Sequence, residues 1–132
     1  MTSVYPKVIS RFEDPYIMTA TEKAMLYGQP KLLHIIKSNS TGGVIYQVPE
    51  GKVALIANAH ARRTSGTGYT RIGIAAPDGS KTYITKDTDD DIPKFQMIFI
   101  PEGYKIIVDA YLDTEGEFKV LVYEVDKSIL VP

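Results

Sequence analysis

From Gly43 onward the chain repeats with a period of two, and this alternation limits its fold more than any other feature. In "GVIYQV", Val44, Tyr46 and Val48 share one face. In "KVALIANAHA", Val53, Leu55, Ala57 and Ala59 share one. "YTRIGIAA" alternates Thr70, Ile72, Ile74 and Ala76 against Tyr69, Arg71, Gly73 and Ala75. "YKIIVDAYL" and "EFKVLVYEV" continue the pattern, while "KTYITK" and "FQMIFI" are shorter runs. Side chains on a strand point to opposite faces in turn, and Val, Ile and Tyr favour that backbone.

Turn signals separate the runs. Pro49-Glu50-Gly51 and Pro101-Glu102-Gly103 form a near-repeat inside "VPEGKVALI" and "IPEGYKIIV". Proline stops an incoming ladder and presets φ at the first central position of a turn, and glycine accepts positive φ. "PDGS" and "DTEG" read as hairpin closures. "NSTGG" reads as a linker after a first strand "KLLHIIKS", and "RRTSGTGYTR" as a long flexible loop.

The expected fold is all-β: an antiparallel β-sandwich, jelly-roll-like, over residues 31–132. An N-terminal extended arm over residues 1–30 precedes it and contains a short helix. That helix lies in "TATEKAMLYG", with Thr19 as N-cap, Glu22 completing a capping box and Gly28 ending it. At 132 residues the chain has room for one domain with a sizeable core.

Charge is unevenly distributed. Residues 1–43 hold five basic and three acidic side chains, residues 44–86 six and two, and residues 87–132 four and eleven. Either the segments neutralise one another within a subunit, or they form opposed faces that dock copies together. The net charge of −1 argues against a general nucleic-acid binder. No run of eighteen apolar residues suggests a membrane span, and the first residues lack the apolar core of a secretory signal.

Candidate chemistry is sparse. The absence of cysteine removes disulfides and thiolate chemistry. His34 and His60 lie in strand-like runs and make a weak metal pair. Asp87, Asp89 and Asp91 in "DTDDD" could offer oxygens to calcium, but a solvated acidic loop is the stronger reading. No catalytic, cofactor-binding or metal site is assigned. The candidate interaction residues are the arm aromatics Tyr5, Phe12 and Tyr16, and Arg62, Arg63 and Arg71, which could reach a neighbour's carboxylates. A row formed from Tyr46, Tyr69, Tyr83, Tyr104, Tyr111 and Tyr123 would suit a carbohydrate-binding module, the alternative reading.

The string "GVIYQVPEGKVALIANAHARRTSGTGYTRIGIAAPDG" resembles small bacteriophage virion proteins of the capsid-decoration (cement), head-fibre and tail kind. Tyr46, Val48, Pro49, Gly51 and Lys52 match their opening strand, Thr64 to Gly68 a glycine- and serine-rich loop, and Ile72 and Ile74 the next strand. The resemblance covers about residues 44–125; "HARR" stands where such proteins often carry asparagine. It implies a non-enzymatic virion protein without cofactor, assembled as a homotrimer with itself and bound to a major capsid or tail protein. Its partners would include neither nucleic acid nor membrane.

Overall fold

A computed structural model of the chain describes residues 18–86 and 97–131. The elements are α1 (Ala20–Tyr27), β1 (Gln29–Gln47), β2 (Lys52–Ser65), β3 (Tyr69–Ala75), β4 (Lys81–Lys86), β5 (Ile98–Ile100), β6 (Lys105–Asp126) and α2 (Lys127–Leu130). The all-β class holds. The strands form one continuous antiparallel sheet in the order β4-β3-β6-β2-β5, with β1 also paired to β6.

β6 organises the sheet. Its first half pairs with β3, from Lys105 opposite Ala75 to Tyr111 opposite Tyr69. Its second half pairs with β2, from Glu115 opposite Ser65 to Asp126 opposite Lys52. β1 accompanies both halves, from Gln47 opposite Lys105 to Gln29 opposite Glu124. Between the halves, Leu112 and Asp113 adopt positive φ (64° and 50°), and β1 turns beside them at Asn39 (48°) and Gly42 (67°). The sheet therefore curls, and its halves close on one apolar core. Ile72, Ile106 and Val108 of one half meet Ile56, Phe118, Val120 and Val122 of the other, all at most 2 % exposed. Burying each such side chain is worth roughly 1.5–3 kcal/mol.

Two expected turns are instead this corner. "DTEG" does not close a hairpin: β6 bends but continues through it as one strand, because β1 lies alongside before and after the bend and holds the outgoing strand in the same sheet. "NSTGG" is likewise the bend within β1 rather than a linker. Nor is "RRTSGTGYTR" a long loop. β2 extends to Ser65, and only Gly66-Thr67-Gly68 joins it to β3. This short link presses on the corner. The Gly68 N–H donates to Thr114 Oγ1 at 2.7 Å, and the Thr114 hydroxyl donates to the Leu112 carbonyl at 2.9 Å. A Cβ on Gly68 would lie 1.6 Å from the Tyr111 carbonyl oxygen.

The near-repeated Pro-Glu-Gly segments sit side by side. In each, the proline carbonyl accepts from the residue three places on: Lys52 N–H to Pro49 O at 3.1 Å, and Tyr104 N–H to Pro101 O at 3.2 Å. Proline is thus the first residue of the turn, one place earlier than expected. Gly51 and Gly103 occupy the position that needs positive φ, at 79° and 86°. Val48 ties the two turns, donating to the Tyr104 carbonyl and accepting from Gly103 N–H. Pro77-Asp78-Gly79 closes the β3–β4 hairpin as the sequence implied.

α1 has the expected capping box: Glu22 N–H donates to Thr19 Oγ1 at 3.1 Å, and Thr19 N–H to Glu22 Oε1 at 2.8 Å. Too short to stand alone, it is held by Ala24, which is fully buried against Leu55 and Val125.

The corner makes two glycine substitutions diverge. Gly51→Ala meets no atom within 4 Å and should cost only the left-handed backbone, roughly 1–2 kcal/mol. Gly68→Ala should cost clearly more, because backbone rather than a flexible side chain must move. Urea unfolding of both variants checks the order; equal losses would contradict the close packing of the link on β6.

Candidate functional site

Side-chain chemistry in the described residues gathers on the outer surfaces of the two sheet halves. On one half, β3 register places Arg71 opposite Asp109 of β6 and Lys86 of β4. Arg71 Nε donates to Asp109 Oδ2 at 2.8 Å, and Gly42 N–H donates to Asp109 Oδ1 at 2.5 Å. The Asp109 carboxylate is only 1 % exposed. The guanidinium lies over the Tyr83 ring at 3.6 Å and beside the Tyr69 ring at 5.0 Å; Tyr69 in turn stacks on Tyr111 at 5.2 Å. Lys86 Nζ stands 4.8 Å from the Tyr69 ring. Burial, then its hydrogen bond with Asp109, holds the Tyr83 hydroxyl above its ordinary pKa. The cluster desolvates and neutralises an ion pair next to the β1 bend, tying β1, β3, β4 and β6 together.

On the other half, Glu117 of β6 lies between Ile36 of β1 and Arg62 of β2. Its Oε1 accepts from Arg62 at 2.6 Å, and its Oε2 lies 2.7 Å from His34 Nε2. Arg62 first, then His34, holds the carboxyl well below its ordinary value, at about 2. One row further along, His34 and His60 both lie opposite Lys119. The two histidines thus flank a lysine, an arrangement that repels rather than recruits a cation. Among the described residues, no group of three or more His, Asp or Glu side chains is placed to hold a metal.

Beneath the sheet edge, Glu124 accepts from the Tyr46 hydroxyl at 2.6 Å and pairs with Lys31 at 3.3 Å. Burial works against its charge, but Tyr46 and Lys31 outweigh it and hold its pKa down. Burial first, then the same carboxylate, pushes the Tyr46 hydroxyl far up.

The candidate arginines therefore meet carboxylates within their own chain: Arg62 takes Glu117 and Arg71 takes Asp109. Arg63 Nη1 donates to the Gly68 carbonyl at 2.7 Å, bracing the link at the corner. Part of the uneven charge is neutralised in this way: among the described residues, Asp109, Glu117, Glu124 and Asp126 pair with Arg71, Arg62, Lys31 and Lys52 of the earlier segments. The acidic last third supplies the central strand, and basic residues of the earlier segments flank it. Tyr5, Phe12, Tyr16 and the acidic run from Asp87 to Asp91 lie outside the described residues. The six tyrosines do not form one row: Tyr69 and Tyr83 flank Arg71, Tyr111 stacks on Tyr69, Tyr46 and Tyr104 pack against the main core, and Tyr123 joins the cluster under α1.

Sequence reasoning passed over β1 as a site. It is 19 residues long, and among the described residues it pairs only with β6, with no described strand on its other side. Leu32, Ile36 and Val44 on it are 68 %, 58 % and 51 % exposed. A shallow cavity of about 420 Å³ lies beside β2 and β4, walled by Ile56, Asn58, His60, Ile84, Thr85 and Ile98. Among the described residues no helix is long and apolar enough to cross a membrane.

No protein-family model and no curated protein matches the chain. A solved structure from the Bacillus endospore appendages, a family of disulfide-linked pili, is similar in part: 11 % sequence identity, a TM-score of 0.47, 76 % of this chain and 88 % of that one covered. This chain has no cysteine with which to form such links.

Two outcomes follow from the charged clusters. Arg71→Ala leaves the buried Asp109 carboxylate without its cation and should destabilise by on the order of 3 kcal/mol; Arg71→Lys should recover only part, since an ammonium cannot stack flat on Tyr83. Equal stability of all three proteins would contradict this account. For Glu117 the folded pKa lies below the ordinary 4.5, so its contribution is complete above that pH and is lost as pH falls toward 2. Denaturant midpoints measured from pH 5 to pH 2 should fall less steeply for Glu117→Gln than for the parent.

Proposed function

We propose that this chain is a non-enzymatic structural protein that builds or coats an ordered assembly. The observation that carries this reading is the side of β1 that no described strand pairs. Between Lys31 and Lys37 this edge bears large exposed apolar side chains and is a template for another strand; Pro30, the two lysines and the bulges beyond Ser38 limit pairing to that stretch. The curled sheet supplies a rigid block behind it, since the corner, the core and the Arg71–Asp109 cluster all fix β1 to β6. Many such contacts, each weak, add through multivalency.

The specific form we propose is capsid decoration, which the resemblance of residues 44–125 to phage virion proteins supports. In this form the sheet is the block that sits on a shell, and the N-terminal segment with Tyr5, Phe12 and Tyr16 reaches the neighbouring subunit. The partners are further copies of the chain and a major capsid protein.

Light scattering across a range of concentrations tests the assembly reading. A mass that grows beyond one chain as concentration rises is expected; a strict monomer throughout would remove the proposal. Capsid decoration is tested by adding the chain to phage heads that lack it, with an increase in their disruption temperature as the expected result.

A further inference from the structure

The open edge of β1 has an internal symmetry. From Lys31 to Lys37 the strand reads Lys-Leu-Leu-His-Ile-Ile-Lys, which is chemically the same in both directions about His34. We infer that this segment pairs antiparallel with the same segment of a second copy, around a two-fold axis through His34 and perpendicular to the sheet. The inference specifies an interface within the proposed assembly and rests on that reading.

Antiparallel pairing of identical strands sets each residue against its mirror position. Leu32 then faces Ile36 of the partner subunit, Leu33 faces Ile35 of the partner subunit, and His34 faces its own counterpart. Every cross-strand pair next to the axis is apolar, the kind that stabilises a ladder. Backbone direction agrees as well. Alternate residues of β1 turn their N–H and C=O groups away from β6. Each proposed pair joins positions an even number apart, so outward groups meet outward groups.

The two faces also match. Leu32, His34 and Ile36 lie on the exposed outer surface, while Leu33 and Ile35 pack against the core. A perpendicular axis keeps outer with outer and core with core. The two sheets would run on as one through β6–β1–β1–β6.

Lys31 and Lys37 bound the segment. Their juxtaposition is tolerable because Lys31 already pairs with Glu124. A slip of two residues in one direction sets Lys31 against Ile35, and in the other sets Lys37 against Leu33, so either slip places an ammonium opposite an aliphatic side chain. Seven residues of strand edge form a small interface compared with those of stable complexes. The pair should therefore dissociate on dilution and gain strength only within a larger array.

Cysteine cross-linking tests the register, since the chain has none of its own. Facing Cα atoms of an antiparallel pair lie about 4.5–5.5 Å apart, within disulfide reach. Under mild oxidation His34→Cys should give a covalent dimer at least tenfold faster than Leu26→Cys on α1. Leu32→Cys and Ile36→Cys should each cross-link slowly alone and rapidly when mixed. His34→Cys linking no faster than the α1 control overturns the pairing, whether the edge is covered by the N-terminal segment or by another strand. If the parent still grows in mass by light scattering, only this register fails; if it stays monomeric, the assembly reading fails with it.

Discussion

The structure depends on β6 lying between partners along its whole length. Twenty-two residues form one strand, with β1 on one side and β3 followed by β2 on the other. A strand in that position can change direction only if its neighbours change with it. The left-handed residues at Leu112 and Asp113 and the bend of β1 at Asn39 and Gly42 are two halves of one event. The short Gly66-Thr67-Gly68 link explains why β2 and β3 can flank the same strand: β2 ends, the chain crosses the corner in three residues, and β3 begins. Core closure, the tyrosine–arginine cluster and the adjoining Pro-Glu-Gly turns all follow from that corner.

The central place of β6 also accounts for the electrostatics. Five acidic side chains of β6 and the segment before it (Glu102, Asp109, Glu117, Glu124 and Asp126) each meet a cation from another part of the chain or the following helix. The exposed pairs add little stability. Asp109 differs because it is buried, and its desolvation is offset by the Gly42 amide and by Arg71, whose guanidinium lies against the Tyr83 and Tyr69 rings. Among the described residues these charges are interleaved in space, and the unpaired side of β1 carries the exposed apolar residues Leu32, Ile36 and Val44.

Alternation made the strands and the all-β class legible, and the capping box made α1 legible, because both are local. The corner was not, and "DTEG" shows why. Asp, Thr and Gly suit a hairpin as well as a bend, and the choice is made by whether a neighbour carries the strand onward. That neighbour, β1, is more than sixty positions away for the Gly42–Asp109 contact. "NSTGG" was ambiguous for the same reason. The His34–Glu117–Arg62 contact was invisible because it depends on the register of three strands at once. Arg62, Arg63 and Arg71 stood out in the sequence as candidate contacts, but only register shows that their carboxylates and carbonyls lie within the same chain.

The side of β1 left unpaired among the described strands joins the fold to the proposed role. Amide hydrogen exchange along β1, followed by NMR at several protein concentrations, tests it most directly. At high dilution, amides facing β6 should exchange slowly and those alternating with them quickly; raising the concentration should protect the fast set from Lys31 to Lys37. Uniform protection of β1 at every dilution would contradict an open edge, and a fast set indifferent to concentration would contradict its use in assembly.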